Sequence, residues 1–480
     1  MARYQEDQRE TLRLIAGSLD QLLPVGSVAR AIWAGVQQLD FGVYDALHDN
    51  DAVGRPAINP RSLTAVWTLA LLRGVTSSVR LATLCGQDIE FRWLLGDVTV
   101  EKTALCDFRK FYQSELASLS AQVLGALGQH DLLPGKDMGM DGTIVRAASS
   151  RHSSKSRRRL EKRQQHLRAV IEEKLSQMDG DWESEEVKAL ERRRQRVADA
   201  LAEMDARGIT EQTGRLTVTE PDASVKQQKD HSFAPGYNVQ VVTDLDSGVI
   251  VHAEVVDAGN DCGQLQPQLE HAQAALEELA GNEERKIESI TADSAYHDTR
   301  QLDHLEGQRV TCYVPEDRNT HRQAPGVSPA YQADRFTYNE KTDTMKCPLG
   351  QDLNWRKLNK NKTAAVYQAR ARVCQACPAQ SQCCPTSNSG RCASRPLPIY
   401  KETLDKVAGR LETEEGQHKK HARWVTCEGI YARFSDLLHW SRCRMWNRAG
   451  AEMELLWRQF THNLMLWLGV WKPLVAKAKA

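Results

Sequence analysis

Apolar residues recur three and four apart in AIWAGVQQL, SLTAVWTLALLRGV and LASLSAQVLGAL, and this period predicts an all-α unit over residues 1–134. Gly54, Arg55, Pro56 and Pro60 interrupt it as a loop before a helix over Leu63 to Leu72, with Pro60 suited to the helix start. After Pro134 the texture becomes strand-like in MGMDGTIV, YNVQVVTD and VIVHAEVV. Between the last two, Leu245-Asp-Ser-Gly248 predicts the turn of an antiparallel hairpin. A helix over Gln264 to Leu279, the strand IESITAD, a helix near Thr299 to Leu305 and the strand RVTCYVP complete an α/β order.

Two segments break that order. Residues 156–215 read as a charged helical hairpin whose seam is Leu160, Leu167, Ile171, Leu175, Val187, Leu190, Val197 and Leu201, folded back at Met178-Asp-Gly-Asp. Residues 319–398 are polar, rich in cysteine and poor in periodicity, and residues 399–480 return to helix with many Trp and Arg. The expected division is therefore a helical domain over 1–134, a first core strand over 135–155, the helical insertion, a core over 216–318, the Cys-rich insertion, and a C-terminal helical part of the core.

Composition narrows the class. The 480 residues are 41% hydrophobic, which excludes a disordered chain. The opening MARYQEDQRE is charged and reads as no secretory signal, and Leu464 to Trp471 is too short to span a bilayer, so the expectation is a cytoplasmic protein with no membrane contact. Sixty-three basic and 63 acidic side chains cancel overall, but locally they separate. Arg151 to Arg168 carries eight cations against Glu161 alone, and Asn354 to Arg372 carries Arg356, Lys357, Lys360, Lys362, Arg370 and Arg372 with no acid. Such runs are either solvated faces or contacts to a polyanion.

Of twelve cysteines, Cys347, Cys374, Cys377, Cys383, Cys384 and Cys392 fall in one stretch. Two thiolates in C-x-x-C with two more from separate turns suit a tetrahedral Zn²⁺ site of Cys347, Cys374, Cys377 and Cys383. Cys384 is the rival fourth ligand, Cys392 a reserve, and free thiols the alternative.

Asp141 lies in MGMDGT and Asp293 in SITADSAY, each at a strand of the same expected sheet and flanked by small or apolar residues. A carboxylate placed there is costly unless it meets a cation or donors, and two on one sheet edge suit a hard divalent ion. Glu428, in HARWVTCEGIYARF, supplies a third; Glu415, at the same spacing from Arg410 as Glu428 from Arg423, is the second choice.

In order, M-D-G-T, G-Y-N-V-Q at Gly236 to Gln240, A-D-S-A-Y at Ala292 to Tyr296, R-x-x-x-x-E at Arg423 to Glu428, R-A-G at Arg448 and H-N-L at His462 resemble the DDE transposases of bacterial insertion sequences. The branch resembled has a long helical insertion after the first catalytic Asp, and a leader with Gly54-Arg-Pro, Ser77-Ser-Val-Arg80, Phe91-Arg-Trp and Phe108-Arg109. The sequence departs from that branch at Ala295, at Gly429-Ile-Tyr-Ala after the Glu, and at Ser435, where a basic residue is common. The resemblance implies an RNase H-like mixed-sheet core in which Asp141, Asp293 and Glu428 bind two Mg²⁺ (or Mn²⁺) ions for phosphodiester cleavage and strand transfer. It implies double-stranded DNA as partner, both terminal inverted repeats and target, with a homodimer on the DNA in the bacterial nucleoid.

Arg157, Arg158, Arg159, Tyr296, Arg423, Trp424 and Arg433 are the expected DNA contacts. Trp440, Trp446, Trp457, Trp467 and Trp471 are expected in the core, and His462 as a structural hydrogen-bonding residue. The rival readings are a metal-dependent nuclease of the same fold and a transposase-derived DNA-binding protein without catalysis.

Overall fold

The computed structural model describes residues 17–46, 57–177, 184–210, 214–228, 230–280, 285–316, 326–385 and 389–472. Gly54-Arg-Pro56 and the expected break at Met178 to Asp181 lie outside these. The chain divides into two compact units. One takes residues 1–123, 437–439 and 460–472, and the other residues 124–436, 440–459 and 473–480. The C-terminal stretch expected to be wholly catalytic core is thus shared between them.

The first unit is helical throughout its described residues, with Val28–Val36, Pro60–Leu72, Ser78–Gln87, Ile89–Leu95 and Lys102–Phe111. Ser27, Asn59, Ser77 and Asp88 cap the first four of these helices by accepting backbone N–H bonds, which is why those begin where they do. Pro60 takes the first turn of its helix, three residues earlier than the apolar period begins. The buried indole of Trp67 donates to the Leu105 carbonyl at 3.0 Å and carries the Arg109 guanidinium 4.6 Å above its ring. His462 is buried with its ring edge-to-face on Trp471.

The second unit is built on a six-stranded mixed sheet: β1 Asp137–Arg146, and, after the short pair β2 Ser154–Lys155 and β3 Leu216–Thr217, β4 Ser224–Gln227, β5 Phe233–Asp244, β6 Ile250–Val256, β7 Ser289–Thr291 and β8 Thr311–Tyr313. β5 pairs antiparallel with β1 on one side and with β4 and β6 on the other. β1 pairs parallel with β7, and β7 with β8. The expected hairpin closes where Asp244 Oδ1 accepts from the backbone of Asp246 (3.1 Å) and Ser247 (2.8 Å), with Gly248 at φ 72. Alternation along β1 assigns its two faces. Gly139 and Asp141 meet the Glu414–Ala432 helix, whereas Gly142 meets Gln240 and Tyr296. On β6, His252 and Glu254 approach His271 of the Leu265–Ala280 helix, and Gln268 from the same helix donates to Glu254 Oε2 at 2.8 Å.

The helical insertion forms as Arg157–Gln177 and Glu185–Ala206, its seam closed by Leu160, Leu167, Val197, Ala200 and Met204 with Leu216 of β3. The second insertion departs from the reading of an irregular segment. It contains an antiparallel meander of β9 Thr337–Asn339, β10 Thr344–Lys346, β11 Asp352–Leu358, β12 Ala364–Gln368 and β13 Cys392–Pro396, in that spatial order. Its core is Phe336, Met345, Leu353, Ala365, Tyr367, Ala369 and Ala393. Strands of three to seven residues with one small apolar face give too few apolar positions for the alternation to show in sequence.

The Glu414–Ala432 helix approaches β1 closely at Gly139. A Cβ there would lie 2.4 Å from Leu245 Cδ2 and 3.1 Å from the buried Cys427 Sγ. Gly139→Ala should destabilise the chain by about 1–3 kcal/mol through overpacking, read as a lower denaturant midpoint. An unchanged midpoint would show that the helix does not rest on this strand.

Candidate active site

Four residues spaced by one helical turn hold the Glu414–Ala432 helix to β1. Lys419 Nζ lies 2.6 Å from Asp137 Oδ2, Arg423 Nη1 lies 3.3 Å from Asp141 Oδ2, Cys427 packs on Gly139, and Tyr431 donates its hydroxyl to the Asp141 carbonyl at 2.6 Å. The repeat at 419, 423, 427 and 431 follows from four-residue neighbours sharing a helix face. Glu428, next to Cys427 on this helix, is exposed.

Asp141 is buried, with Oδ1 accepting from its neighbour Gly142 N–H at 2.8 Å. Burial pushes its carboxyl up to about 7; the Arg423 cation opposes the shift, and the charges of Asp293 and Glu428 add to it. The field at Asp141 thus registers both other members of the expected triad. Asp293 caps the short 3₁₀ turn Ser294–Tyr296 by accepting from Ala295 N–H at 2.9 Å, so Ala295 serves as backbone donor where the related motif has Gly. Burial raises the Asp293 carboxyl as well, against the pull of Arg423. The rival Glu415 is committed elsewhere, accepting the Tyr313 hydroxyl at 2.9 Å.

A fourth carboxylate, Asp261, was not evident from sequence. Its Oδ1 accepts from Gln240 Nε2 at 2.7 Å and Asn238 Nδ2 at 3.1 Å, and Gln240 Oε1 accepts the Tyr296 hydroxyl at 2.5 Å. A Cβ on Gly142 would meet Asp261 Oδ1, Gln240 Nε2 and Tyr296 Oη at 2.5, 2.6 and 2.9 Å, so the Gly after Asp141 is what admits this network. The available signal was the run Gly259-Asn-Asp261 between β6 and the following helix.

The expected surface contacts divide. Trp424 is 58% exposed beside Arg423, with its ring 5.9 Å from that of His421. Tyr296 is corrected: it is fully buried, its hydroxyl spent on Gln240, and it anchors the turn that carries Asp293 instead of meeting a ligand. The Arg157 guanidinium pairs with Asp205 at 2.5 Å across the helical hairpin. Arg158 and Arg159 are exposed, and Arg433 is half-buried, its cation disfavoured by desolvation. Trp440 and Trp457 are core residues as expected, but Trp446 is 53% exposed.

Cys347, Cys374, Cys377, Cys383 and Cys384 line one small cavity at the end of the meander, and none is in a disulfide. Backbone N–H groups of Gln351 and Arg391 point at Cys347 Sγ and Cys374 Sγ, each at 3.3 Å. Burial raises the Cys383 thiol to about 11, against the Arg391 cation. Cys392 is exposed, and the cavity does not include it.

Residues 346–466 match the family of the transposase DDE domain, and residues 18–111 match a transposase domain (DUF772). Both matches support an insertion-sequence DDE transposase. No curated protein and no solved structure matches it. The DDE-domain match contains Arg423, Glu428 and the clustered cysteines, while Asp141 and Asp293 fall between the two matched segments.

The buried pair has a direct test. Removing one partner of a buried ion pair leaves the other charge uncompensated, so Arg423→Met should cost about 3 kcal/mol of unfolding free energy. Adding Asp141→Asn to it should recover much of that loss, because the stranded charge is gone. Equal costs for the single and double variants would show that the two side chains are not coupled.

Proposed function

We propose that this transposase binds the terminal inverted repeats of its element and catalyses Mg²⁺-dependent DNA cleavage and strand transfer on an RNase H-like core. The observation that carries the proposal is the electrostatic convergence of Asp141 and Asp293, from the adjacent parallel strands β1 and β7, with Glu428 on the helix packed over β1. The strand order β6-β5-β1-β7-β8, with the first three antiparallel and the last three parallel, supports the core assignment.

The donor set fits hard divalent ions. Carboxylates that are partly desolvated and repel one another lose that penalty when a cation joins them, and oxygen ligands suit Mg²⁺ or Mn²⁺. Asp141, Asp293 and Glu428 would hold two ions, which when bound supply charge stabilisation to both the attacking and the leaving oxygen of an in-line displacement. Arg423 contributes from the protein side. Its buried Nη1 lies beside Asp141 without completing a hydrogen bond, which leaves an N–H to offer a phosphodiester oxygen. Trp424, Arg158 and Arg159 are the exposed groups suited to DNA, and a homodimer on the two ends, in the cytoplasm at the nucleoid, follows from that reading.

The cysteine cavity fits Zn²⁺ as a structural ion, with Cys347, Cys374 and Cys377 as three ligands and Cys383 or Cys384 as the fourth. Zn²⁺ should copurify at about one ion per chain and be lost in Cys374→Ser, as measured by elemental analysis. A stable chain free of zinc with reduced thiols would leave the free-thiol reading.

Asp141→Asn, Asp293→Asn and Glu428→Gln should each retain binding to inverted-repeat DNA and lose Mg²⁺-dependent cleavage and strand transfer by several orders of magnitude. Double variants should be no worse than singles, since the residues act as a unit. Glu415→Gln should remain active. Activity in all three single variants would remove the mechanism, cleavage without strand transfer in the wild type would favour a nuclease, and DNA binding without either would favour a lapsed enzyme.

A further inference from the structure

The basic run from Asn354 to Arg372, left open between a solvated face and a polyanion contact, is folded as the β11–β12 hairpin and the residues that follow it. Arg356, Lys357, Lys360, Lys362, Arg370 and Arg372 supply six cations with no acid among them. Arg356, Lys357, Lys360, Lys362 and Arg370 are exposed. Among the described residues, no salt bridge to an acid is found for any of the six. Elsewhere on the surface, arginines and lysines at comparable exposure are paired, as in Lys174 with Glu186 and Lys406 with Glu402.

A bare concentration of like charge stabilises nothing within the chain, and it repels itself. The strand that bears it is also unusually apolar on its surface, with Trp355 54% and Leu358 39% exposed. A register shift between Trp355 and Lys357 sets Arg356 out of the ladder. Beyond the strand, the turn residues Asn359, Asn361 and Thr363 line one wall of a cleft of about 910 Å³. Ser294, Ala295 and His297 line its other wall, and they directly follow Asp293. The turn of the basic hairpin therefore lines the same cleft as the residues that follow Asp293.

We infer that the β11–β12 hairpin is a clamp for the phosphate backbone of duplex DNA, holding the strand that enters the cleft beside Asp293. This rests on the DNA-transposase reading and deepens it. Phosphate contacts by Lys and Arg position a duplex without reading its sequence, and they make affinity fall steeply with salt. Four cations at the tip and on β11 give the hairpin that chemistry, and Asn361 is exposed among them at the turn.

The test uses the full chain with Arg356, Lys357, Lys360 and Lys362 all changed to Gln, and as a milder variant Lys360→Gln with Lys362→Gln at the turn. Binding to a duplex of arbitrary sequence is measured across a salt series, with thermal unfolding as the check on folding. Removing one cation that neutralises a phosphate should reduce the slope of log affinity against log salt by roughly one unit, so the fourfold variant should drop by several units and the turn pair by about two. Affinity at low salt should fall at least about tenfold for the fourfold variant, with an unchanged melting temperature in the turn pair. Wild-type binding with an identical slope in both variants overturns the clamp and leaves the proposed function standing. A wild-type chain with no salt-dependent duplex binding overturns both, and a loss confined to single-stranded RNA overturns the clamp in favour of an RNA surface.

Discussion

The mixed-sheet unit of this molecule depends on a carboxylate held where water is scarce. Asp141 sits in the middle of a sheet, under a helix, and a charge in that position is tolerated only when something opposite in sign faces it. Arg423 does so from the helix, and the rest of the geometry follows from bringing that one side chain within reach. Gly139 lets the helix close on the strand, Lys419 and Tyr431 fix its direction at either end, and Glu428 is carried along near enough for its charge to act on Asp141. On the other face of the same strand, Gly142 admits the carboxylate of Asp261 and the hydroxyl of Tyr296, so the turn bearing Asp293 is tied back to β5 through Gln240.

This arrangement is poised for a cation. Arg423 compensates one carboxylate, yet Asp141, Asp261, Asp293 and Glu428 all act within one electrostatic neighbourhood, and burial raises both Asp141 and Asp293. A protein that needed only stability would place apolar side chains of similar volume here. Retaining the acids makes sense as binding chemistry, and the same logic separates Glu428 from Glu415, whose carboxylate is satisfied by Tyr313.

Much of this was legible in the sequence, and the reasons are physical. The two aspartates drew notice together because an acid among small and apolar strand residues is costly without a partner, and the hairpin was marked by its Asp-Ser-Gly turn. The helical insertion followed from leucine and valine spacing. What stayed hidden depends on long-range placement. Asp261 is an ordinary loop acid until the fold sets it against Gly142, and Tyr296 looks available until Gln240 takes its hydroxyl. Arg157 reads as one of three equivalent cations, although Asp205, forty-eight residues on, occupies it. The meander of the second insertion was missed because its strands are short and its core is a single small face, leaving only cysteines and cations conspicuous.

If Asp141, Asp293 and Glu428 hold divalent ions together, the ions should lie between them. The most direct measurement is an anomalous-scattering map of crystals of the chain with a DNA end and Mn²⁺. Manganese peaks enclosed by these three carboxylates, beside Arg423, are the expected result. Peaks bound by Glu415, or manganese that leaves Glu428 uncoordinated while Asp141 and Asp293 are occupied, would contradict it.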